Sequence, residues 1–444
     1  MPATTDTTTV ILSGDALITR PFRESRDPGM LGLIELVRSA DVRFANLEML
    51  LNNYGGTPAV EAGGLHLTAS PRVAEDLLWA GFNLFAAANN HSLDFGTDGL
   101  LLHMAEMQRL GMAYAGVGVS LEDAAKPGYT QTGAGRAALV SCASSFAASQ
   151  RAGEMRTDFG GRPGLNSQRF ETTYVVDSPR FEQLREIAGA LHFEEMRQWA
   201  IGKGFAKPLD DEENQLGFGA DSWESGMKIQ RGDAPEIRTK AHARDLERNL
   251  ASIRHAKRQA DLVIVSIHAH EADIQIEKPA QFLVEWAHAC VDAGADIVTG
   301  SGPHMLRGIE LYKGKPIFYS LGNLWFEFET VDALPADSYE MHKLDPLSLN
   351  PADLYDQCIL NGFHNDARYW ECALPVCTFA DGALSGIALH PVTLGHGRPR
   401  SQRGTPALAN PADAQRILGY LSELSAPFGT EISVRGDEGE VKVG

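Results

Sequence analysis

Apolar runs of strand length recur along the chain and alternate with stretches of helical periodicity. The clearest run covers residues 261–267, Asp-Leu-Val-Ile-Val-Ser-Ile, and it suits a strand that is buried on both faces. Just before it, Leu246, Leu250 and Ile253 share one face of a helix. Strands that alternate with helices in this way predict a mostly parallel sheet with helices on its faces. The pattern therefore predicts an α/β fold.

The same pattern, read with caps and turn residues, gives approximate bounds for each element. Helices are predicted at 31–40, 70–81, 99–110, 179–200, 244–260, 281–293 and 413–424. Strands are predicted at 9–13, 42–46, 83–88, 112–117, 136–141, 261–267, 296–299, 309–312, 316–319, 369–379 and 383–392. The pair 309–312 and 316–319 encloses a Lys-Gly-Lys turn and predicts a hairpin.

Residues 145–240 interrupt the alternation of strands and helices. They hold a glycine-rich loop around Arg162 and an acidic loop at 210–213. We interpret them as an insertion in one domain spanning 1–444, either a lid or recognition element over the active site or a surface excursion without a role in binding. Residues 335–444 are expected to complete the edges of the sheets and to contribute to a possible homo-oligomer contact.

Composition and charge narrow the class of protein. The 444 residues are 43% hydrophobic and 22% charged, as in ordinary globular proteins. The net charge of −19 makes a nucleic acid an unsuitable partner, because its phosphates would be repelled. The five cysteines have neither metal-site spacing nor a disulfide pattern. Without a signal peptide or an apolar span of about 20 residues, the sequence predicts a cytoplasmic protein with no membrane partner.

Groups that can bind a metal or move a proton occur where predicted strands end. They are Asp15, Glu48, Asn90 with His91, His268 with His270, and His304. Each alone has an ordinary structural explanation, such as capping a turn or hydrogen bonding in the core. Together they favour a site, because the carboxyl ends of parallel strands form the crevice of an open α/β sheet. Such mixed ligands suit Mn, Fe, Zn, Co or Mg, and a bridging carboxylate can hold two of these ions.

Several of these residues belong to a recognisable set of motifs. In order along the chain, the motifs are Gly14-Asp15, Asn46-Leu47-Glu48, Asn-Asn-His-Ser-Leu-Asp-Phe-Gly at 89–96, the strand ending in His268, Gly300-x-Gly-Pro-His304, and Tyr-Ser-Leu-Gly-Asn at 319–323. The set resembles the signature of the bacterial CapA family, associated with capsule poly-γ-glutamate synthesis, over roughly residues 8–328. That family is similar to the calcineurin-like metallophosphoesterases. The resemblance implies a four-layer α/β/β/α sandwich with a dimetal site, an inserted recognition segment and a C-terminal extension.

The resemblance also implies roles for single residues. Asp15, Glu48, Asn90, His268 and His304 fall on metal-ligand positions, with Glu48 at the bridging position, and His91 is the expected acid or base. This chain has Leu17 where phosphoesterases have a histidine, and Ser301 where many CapA-like sequences have another. One divalent ion is therefore as well supported as two. His270 either replaces a missing ligand or acts as a second proton-transfer group.

Substrate contacts are predicted for two residues. Glycines flank Arg162 and let its backbone approach a ligand, and its guanidinium suits a substrate carboxylate. Asn323 ends the Tyr-Ser-Leu-Gly-Asn segment. The expected partner is a small-molecule or peptide substrate.

Four functions follow as hypotheses. The first is a metal-dependent hydrolase that cleaves an amide of a glutamyl- or peptide-type substrate, with His91 as acid or base. The second is a phosphoesterase with the same site. The third is a metal-dependent epimerase in which His91 and His270 exchange the Cα proton of a peptide. The fourth is a non-enzymatic accessory protein of poly-γ-glutamate synthesis.

Overall fold

A computed structural model describes residues 7–219 and 226–443, and these residues form two compact units. The first unit takes in the chain up to Gln168, then Arg244–Pro279, and the chain from Trp286 onward. The second unit consists of Arg169–Ala243 and Ala280–Glu285. The predicted insertion at 145–240 is therefore divided between the two units, because the part up to Gln168 belongs to the first unit and the rest to the second. A lid or recognition role for it stays a prediction.

The helices begin and end close to capping residues. Asp27, Ser70 and Asn410 cap three of them with side chains that accept backbone N–H groups, each followed by proline in the first turn. The helices are α1 (Pro28–Ser39), α2 (Pro71–Ala80), α3 (Gly96–Arg109), α4 (Leu121–Ala124), α5 (Ser178–Ala190), α6 (Phe193–Gly202), α7 (Ala243–Lys257), α8 (Gln281–Ala293), α9 (Ala336–Met341), α10 (Pro351–Asn361) and α11 (Pro411–Ser425). In the described part of the chain, no helix has the length and apolarity needed to cross a membrane.

The strands of the two units range from two to 11 residues in length. They are β1 (Thr7–Leu17), β2 (Val42–Leu47), β3 (Leu84–Ala86), β4 (Tyr114–Ala115), β5 (Val117–Gly118), β6 (Gly128–Thr132), β7 (Gly135–Ala143), β8 (Gly164–Leu165), β9 (Phe170–Asp177), β10 (Gln215–Phe218), β11 (Met227–Gly232), β12 (Glu236–Ala241), β13 (Leu262–His268), β14 (Ile297–Ser301), β15 (Ile309–Tyr312), β16 (Lys315–Phe318), β17 (Asn323–Phe326), β18 (Glu371–Ala380), β19 (Ala383–Thr393), β20 (Ala407–Leu408), β21 (Ile432–Arg435) and β22 (Glu438–Val441).

The first unit contains two main sheets. One follows the order β21-β22-β19-β18-β1-β2-β3-β4, with β17 also paired to β1 and β20 to β19. Its half from β1 to β4 is parallel, whereas β18 runs antiparallel to β1. The other follows β15-β16-β14-β13-β7-β6, with β7, β13, β14 and β16 parallel. The C-terminal region thus supplies β18, β19, β21 and β22 to the first of these sheets.

The two sheets pack face to face and carry helices on their outer faces. Leu12 and Phe44 of the first sheet share one buried cluster with Leu139, Ile264 and Phe318 of the second. The helices α1 and α2 bury their apolar faces in another cluster, beside the other face of the first sheet. On the second sheet, Cys142 of β7 lies near Arg248 of α7 and Cys290 of α8. The predicted α/β/β/α sandwich is confirmed.

The second unit has its own small sheet, in the order β10-β11-β9-β12, and its own core. That core includes Phe181 and Ala188 of α5, Leu216 of β10 and Ile229 of β11. A single helix at 179–200 was the wrong prediction, since the chain forms α5 and α6 there. His192 lies between them in the left-handed region, with φ of 59°, and this conformation interrupts the helix.

Candidate metal centre

Strand register brings the polar residues of the first unit together at one end of the two sheets. Asp15 of β1 pairs with Asn46 of β2 on one side and with Asn323 of β17 on the other. In the second sheet, His268 of β13 pairs with Ser301 of β14. A Cβ at Gly14 would lie 1.8 Å from the carbonyl oxygen of Gly322, so the close approach of these two segments requires glycine.

Glu48 is the centre of the cluster. It is fully buried, and neither carboxylate oxygen has a hydrogen-bond partner among the described residues. Its Oε1 atom lies 3.5 Å from Nε2 of His268, 3.8 Å from Nε2 of His304 and 3.9 Å from Nε2 of His91. All three separations exceed good hydrogen-bond lengths, and the shortest matches two ligands of one ion, since two atoms about 2.1 Å from one metal lie about 3–3.5 Å apart. Burial, together with the charge of Asp15, raises the pKa of Glu48 well above its usual value. A cation would relieve this cost.

Asp15 is also fully buried, but its carboxylate is well supplied with donors. Asn46 donates its amide N–H to Oδ1 at 2.8 Å, and the backbone N–H of Gly302 donates to Oδ2 at 3.0 Å. The Nδ1 atoms of His268 and His304 lie 3.8 and 3.5 Å from the two oxygens. Burial raises the pKa of Asp15, but the hydrogen bonds from His304 and Gly302 and the neighbouring imidazoles outweigh it, so the pKa lies below its usual value. Asp15 is thus held as a carboxylate.

The cluster contains two groups of three side chains whose ligand atoms lie within 4.8 Å of one another. Asp15, Glu48 and His268 form one group, and Glu48, His270 and His304 form the other. Glu48 belongs to both, which is the arrangement of a carboxylate that bridges two ions. Carboxylate oxygens and imidazole nitrogens are ligands that Mn, Fe, Co and Zn accept. The residues present therefore fit one or two divalent ions.

Two buried amides beside the cluster have oxygens available as further ligands. Asn90 donates its N–H to the carbonyl of Gly63 at 2.8 Å, and its Oδ1 atom has no hydrogen-bond partner within the described ranges. Asn46 uses its N–H group on Asp15, and its Oδ1 atom is likewise unpaired there. Asn46 is a candidate ligand that the sequence reasoning did not assign, although it lies in the Asn-Leu-Glu motif.

His91 is oriented by Asp94. Its Nδ1 atom lies 2.7 Å from Oδ2 of Asp94, which accepts hydrogen bonds, so Nδ1 carries a proton and Nε2 faces Glu48. Asp94 also accepts from the backbone N–H groups of Leu67 at 2.8 Å and Gly63 at 3.1 Å. Sequence reasoning gave Asp94 no role. The available signal was its position three residues after His91 in the Asn-Asn-His-Ser-Leu-Asp segment.

His268 ends β13, and His270 follows two residues later in the loop after that strand. Their Nε2 atoms lie 3.1 Å apart, and Nδ1 of His268 lies 3.1 Å from the hydroxyl of Ser301. Burial lowers the pKa of His268 to about 3 and lowers the pKa of His270 well below its usual value. Both are therefore neutral near pH 7, the form in which imidazole binds a metal.

His304 is held by Asn323. The Nδ1 atom of His304 lies 2.9 Å from Oδ1 of Asn323, and the Asn323 amide N–H group donates to the carbonyls of His304 and Tyr369. Asn323 is thus buried behind His304, with both ends of its amide engaged. Its predicted contact with substrate stays a prediction.

Arg162 lies outside this cluster of side chains. It is exposed, and its guanidinium donates to the carbonyl of Arg151 at 2.9 Å. It does not line the cavity described next. Its predicted contact with a substrate carboxylate also stays a prediction.

A cavity of about 630 Å³ opens beside the cluster. His91, His270 and His304 form part of its wall. A ligand in this cavity would therefore contact His91 and two side chains of the group that shares Glu48.

Comparison with known sequences identifies the class of protein that this fold and cluster define. Residues 9–327 match the family described as bacterial capsule synthesis protein PGA_cap. Because the match covers more than half of the chain, the protein belongs to that family. The resemblance to CapA is confirmed.

Individual relatives show how far the similarity extends. Protein y4sH of Sinorhizobium fredii (strain NBRC 101917 / NGR234) is 34% identical over 447 aligned positions, which cover 98% of this chain and 93% of the relative. PGA biosynthesis protein CapA of Bacillus subtilis (strain 168) is 26% identical over 264 positions, 59% of this chain and 47% of the relative. Probable polyglutamine synthesis accessory protein MT0602 of Mycobacterium tuberculosis (strain CDC 1551 / Oshkosh) is 28% identical over 182 positions, 41% and 38% of the two chains.

Proposed function

We propose that the protein is a metal-dependent hydrolase that cleaves an amide bond of a glutamyl- or peptide-type substrate. The observation that carries this proposal is Glu48, a buried carboxylate with two unpaired oxygens and three imidazole Nε2 atoms between 3.5 and 3.9 Å from one of them. A purely structural carboxylate in such a place would be hydrogen-bonded, because an unpaired buried charge is costly.

The proposed ligand roles follow from the two groups that share Glu48. Asp15 and His268 would complete one site, and His270 and His304 would complete the other. Asn46 and Asn90 offer amide oxygens at the edge of the cluster. A bound divalent ion supplies a Lewis acid for the carbonyl oxygen and lowers the pKa of a water nucleophile.

His91 is proposed to donate the proton to the leaving amine. Asp94 holds its Nδ1 atom and stabilises a positive charge on the ring, so Nε2 is the atom that exchanges protons with substrate. His91 lies on the cavity wall, where a substrate amide can approach it.

The names of the relatives support a substrate with glutamyl or peptide amides. One relative is named for PGA biosynthesis and another for polyglutamine synthesis. We propose that this chain likewise acts on an amide bond, either of a γ-glutamyl polymer or of a peptide.

Epimerisation of a peptide at Cα is the second candidate. The observation in its favour is that His91 and His270 both line the cavity, so two imidazoles can reach one substrate. A metal that polarises the amide carbonyl would serve this reaction as well.

The test combines metal analysis with three assays of the Mn²⁺-loaded protein. We expect Glu48→Gln to lose most bound metal and to lower release of free amine from peptide amides at least 100-fold. Glu310→Gln is the matched control, because Glu310 is hydrogen-bonded to His288 and Tyr319, outside the cluster.

The other two assays separate the candidate reactions. Release of p-nitrophenol from p-nitrophenyl phosphate without amide cleavage would replace the proposal by a phosphoesterase. Deuterium uptake at Cα from heavy water without cleavage would replace it by an epimerase. Full metal content in Glu48→Gln would contradict the proposed centre itself.

A further inference from the structure

The cavity beside the cluster is large enough to select a substrate. Its volume of about 630 Å³ lies within the range of pockets that enclose a drug-sized molecule. His91, His270 and His304 occupy part of its wall. A substrate whose reacting bond lies at these histidines would therefore place the group next to that bond against the rest of the wall.

The remainder of the wall is largely apolar. Leu17, Leu67 and Phe326 are buried, with at most 3% of their surface exposed, and Leu344 is half-buried. Ile276 also lines the cavity and is 40% exposed. Burying an apolar group against such a wall is favourable, whereas a polar group would lose hydration there.

No lysine, arginine, aspartate or glutamate is among the described residues that line this cavity. Beyond the three histidines of the site, the side chains with polar ring or amide groups are His342, Gln357, His364 and Tyr369. Burial, with smaller contributions from neighbouring charges, lowers the pKa of His364 to about 3, so this ring is neutral near pH 7.

The arginines near this region are already engaged. Arg307 is fully buried, and its guanidinium donates to the backbone carbonyls of Ile276 and His270 at 2.9 and 3.1 Å. Arg403 donates to the carboxylate of Glu329. Among the described residues that line the cavity, a substrate carboxylate in its apolar part would therefore find no cationic side chain to pair with and would be desolvated.

We propose that this cavity holds an uncharged apolar side chain of a peptide substrate, next to the amide that lies at the metal ligands. This inference rests on the proposed function and narrows its substrate class. A γ-glutamyl chain carries a carboxylate on every residue, so it fits this wall poorly. The preferred substrate is a peptide with a large aliphatic or aromatic residue at the reacting position.

Binding measurements test this without requiring turnover. The full-length protein, loaded with Mn²⁺, is titrated calorimetrically with two acetylated dipeptides. The apolar probe is the neutral N-acetyl-leucyl-phenylalaninamide, and the γ-glutamyl probe is the negatively charged N-acetyl-γ-glutamyl-glutamate. We expect the apolar probe to bind with a Kd at least tenfold lower. Equal binding, tighter binding of the γ-glutamyl probe, or no binding of the apolar probe to folded, metal-loaded protein would overturn the inference.

A charge introduced at the cavity gives a second measurement. We expect Leu344→Lys to raise the Kd of the apolar probe at least fivefold and to lower the Kd of the γ-glutamyl probe. Leu347→Lys is the control, because Leu347 is 93% exposed on the same segment and does not line the cavity. Equal effects of the two substitutions would also overturn the inference.

The two proposals fail in different ways. Tight binding of the apolar probe without release of amine would contradict the proposed hydrolase activity but not the proposed substrate class. Cleavage of both probes at equal rates and equal affinities would reject the substrate class and leave the hydrolase standing.

Discussion

At the residue scale, three imidazoles of the cluster are each oriented by a partner on Nδ1. Asp94 holds His91, Ser301 lies against His268, and Asn323 holds His304. Such partners decide which nitrogen faces a metal or a substrate, and changing one typically costs 10–100-fold in metal affinity or activity. The orientation of these three imidazoles therefore depends on side chains outside the two groups that share Glu48.

Asp94→Asn tests this arrangement for the proposed acid or base. We expect a fall in kcat of about 10–100-fold with metal content unchanged, because an amide neither fixes the Nδ1 proton nor stabilises an imidazolium. Amine release and metal analysis on the same sample measure both. Asp98→Asn, at an exposed position on α3, is the control. Loss of metal with an unchanged rate per bound ion would contradict the assignment.

The buried His103, which is not a proposed ligand, predicts a pH dependence of stability. It is buried on α3 and accepts the backbone N–H of Leu51 at 3.0 Å, and burial lowers its pKa to about 4. Since the unfolded chain binds this proton more readily, the stabilisation is complete above about pH 6.5 and is lost as pH falls towards 4. The loss amounts to about 3 kcal/mol.

Urea unfolding of metal-free protein between pH 4 and pH 7 measures this effect. We expect His103→Asn to be less stable at pH 7 and to lose less stability on acidification, whereas His255→Asn, at an exposed position, should follow the parent protein. Parallel pH curves for His103→Asn and the parent would contradict the prediction.

At the scale of elements, the loop after β14 must approach the loop after β13 closely. Gly302 has φ of +112°, and a Cβ there would lie 2.7 Å from Cδ2 of His270 and 3.0 Å from the backbone nitrogen of Ala269. The two strands can therefore deliver His270 and His304 to one place only if this position lacks a side chain.

Gly302→Ala should displace His270 and weaken the group formed by Glu48, His270 and His304. We expect at least a tenfold loss in Mn²⁺ affinity at the weaker-binding step, measured by calorimetry. Gly314→Ala separates this clash from backbone strain alone, because Gly314 has φ of +73° and a Cβ there would meet nothing within 4 Å. That control should cost about 1–3 kcal/mol of stability and leave metal affinity unchanged. Equal affinities of the two variants would contradict the role given to position 302.

Elements with strong local patterns were predictable from the sequence. Residues 281–293 were predicted as a helix and are α8, and the strand predicted at 261–267 is observed at Leu262–His268. The sheet of the second unit was missed, because strands such as Glu236–Ala241 carry few apolar residues and are mostly exposed. The break at His192 was missed because a histidine there adopts the left-handed backbone conformation that is usually expected of glycine.

The site was predictable only in part, for a physical reason. Residues such as Glu48 and His304 were found because they follow apolar strands along the chain. The unpaired state of Glu48 and the engagement of Asn323 by His304 are properties of the packed structure, set by contacts between residues of different segments. Sequence spacing carries no record of either.

At the scale of the whole molecule, the proposed ligands are drawn from Asp15 to His304 and meet only when the first unit is folded. Anything that binds only the folded state stabilises it, by about 2.7 kcal/mol when its concentration is 100 times its Kd. We therefore expect the Tm to rise by several degrees on addition of Mn²⁺ and to fall on addition of EDTA, measured by calorimetry. Glu48→Gln should respond to neither. An identical response in that variant would place the stabilising ion elsewhere.

The antiparallel pairing of β18 with β1 has a consequence for any shortened version of this protein. The family match ends at residue 327, yet Thr7–Ile11 of β1 are hydrogen-bonded to residues 376–380. A chain that stopped at the family boundary would keep every proposed ligand. It would, however, leave the backbone donors and acceptors along this edge of β1 unpaired and expose an apolar face to solvent. Open edges of this kind recruit strands from other molecules. Such a fragment would therefore aggregate, and its inactivity would say nothing about the metal ligands.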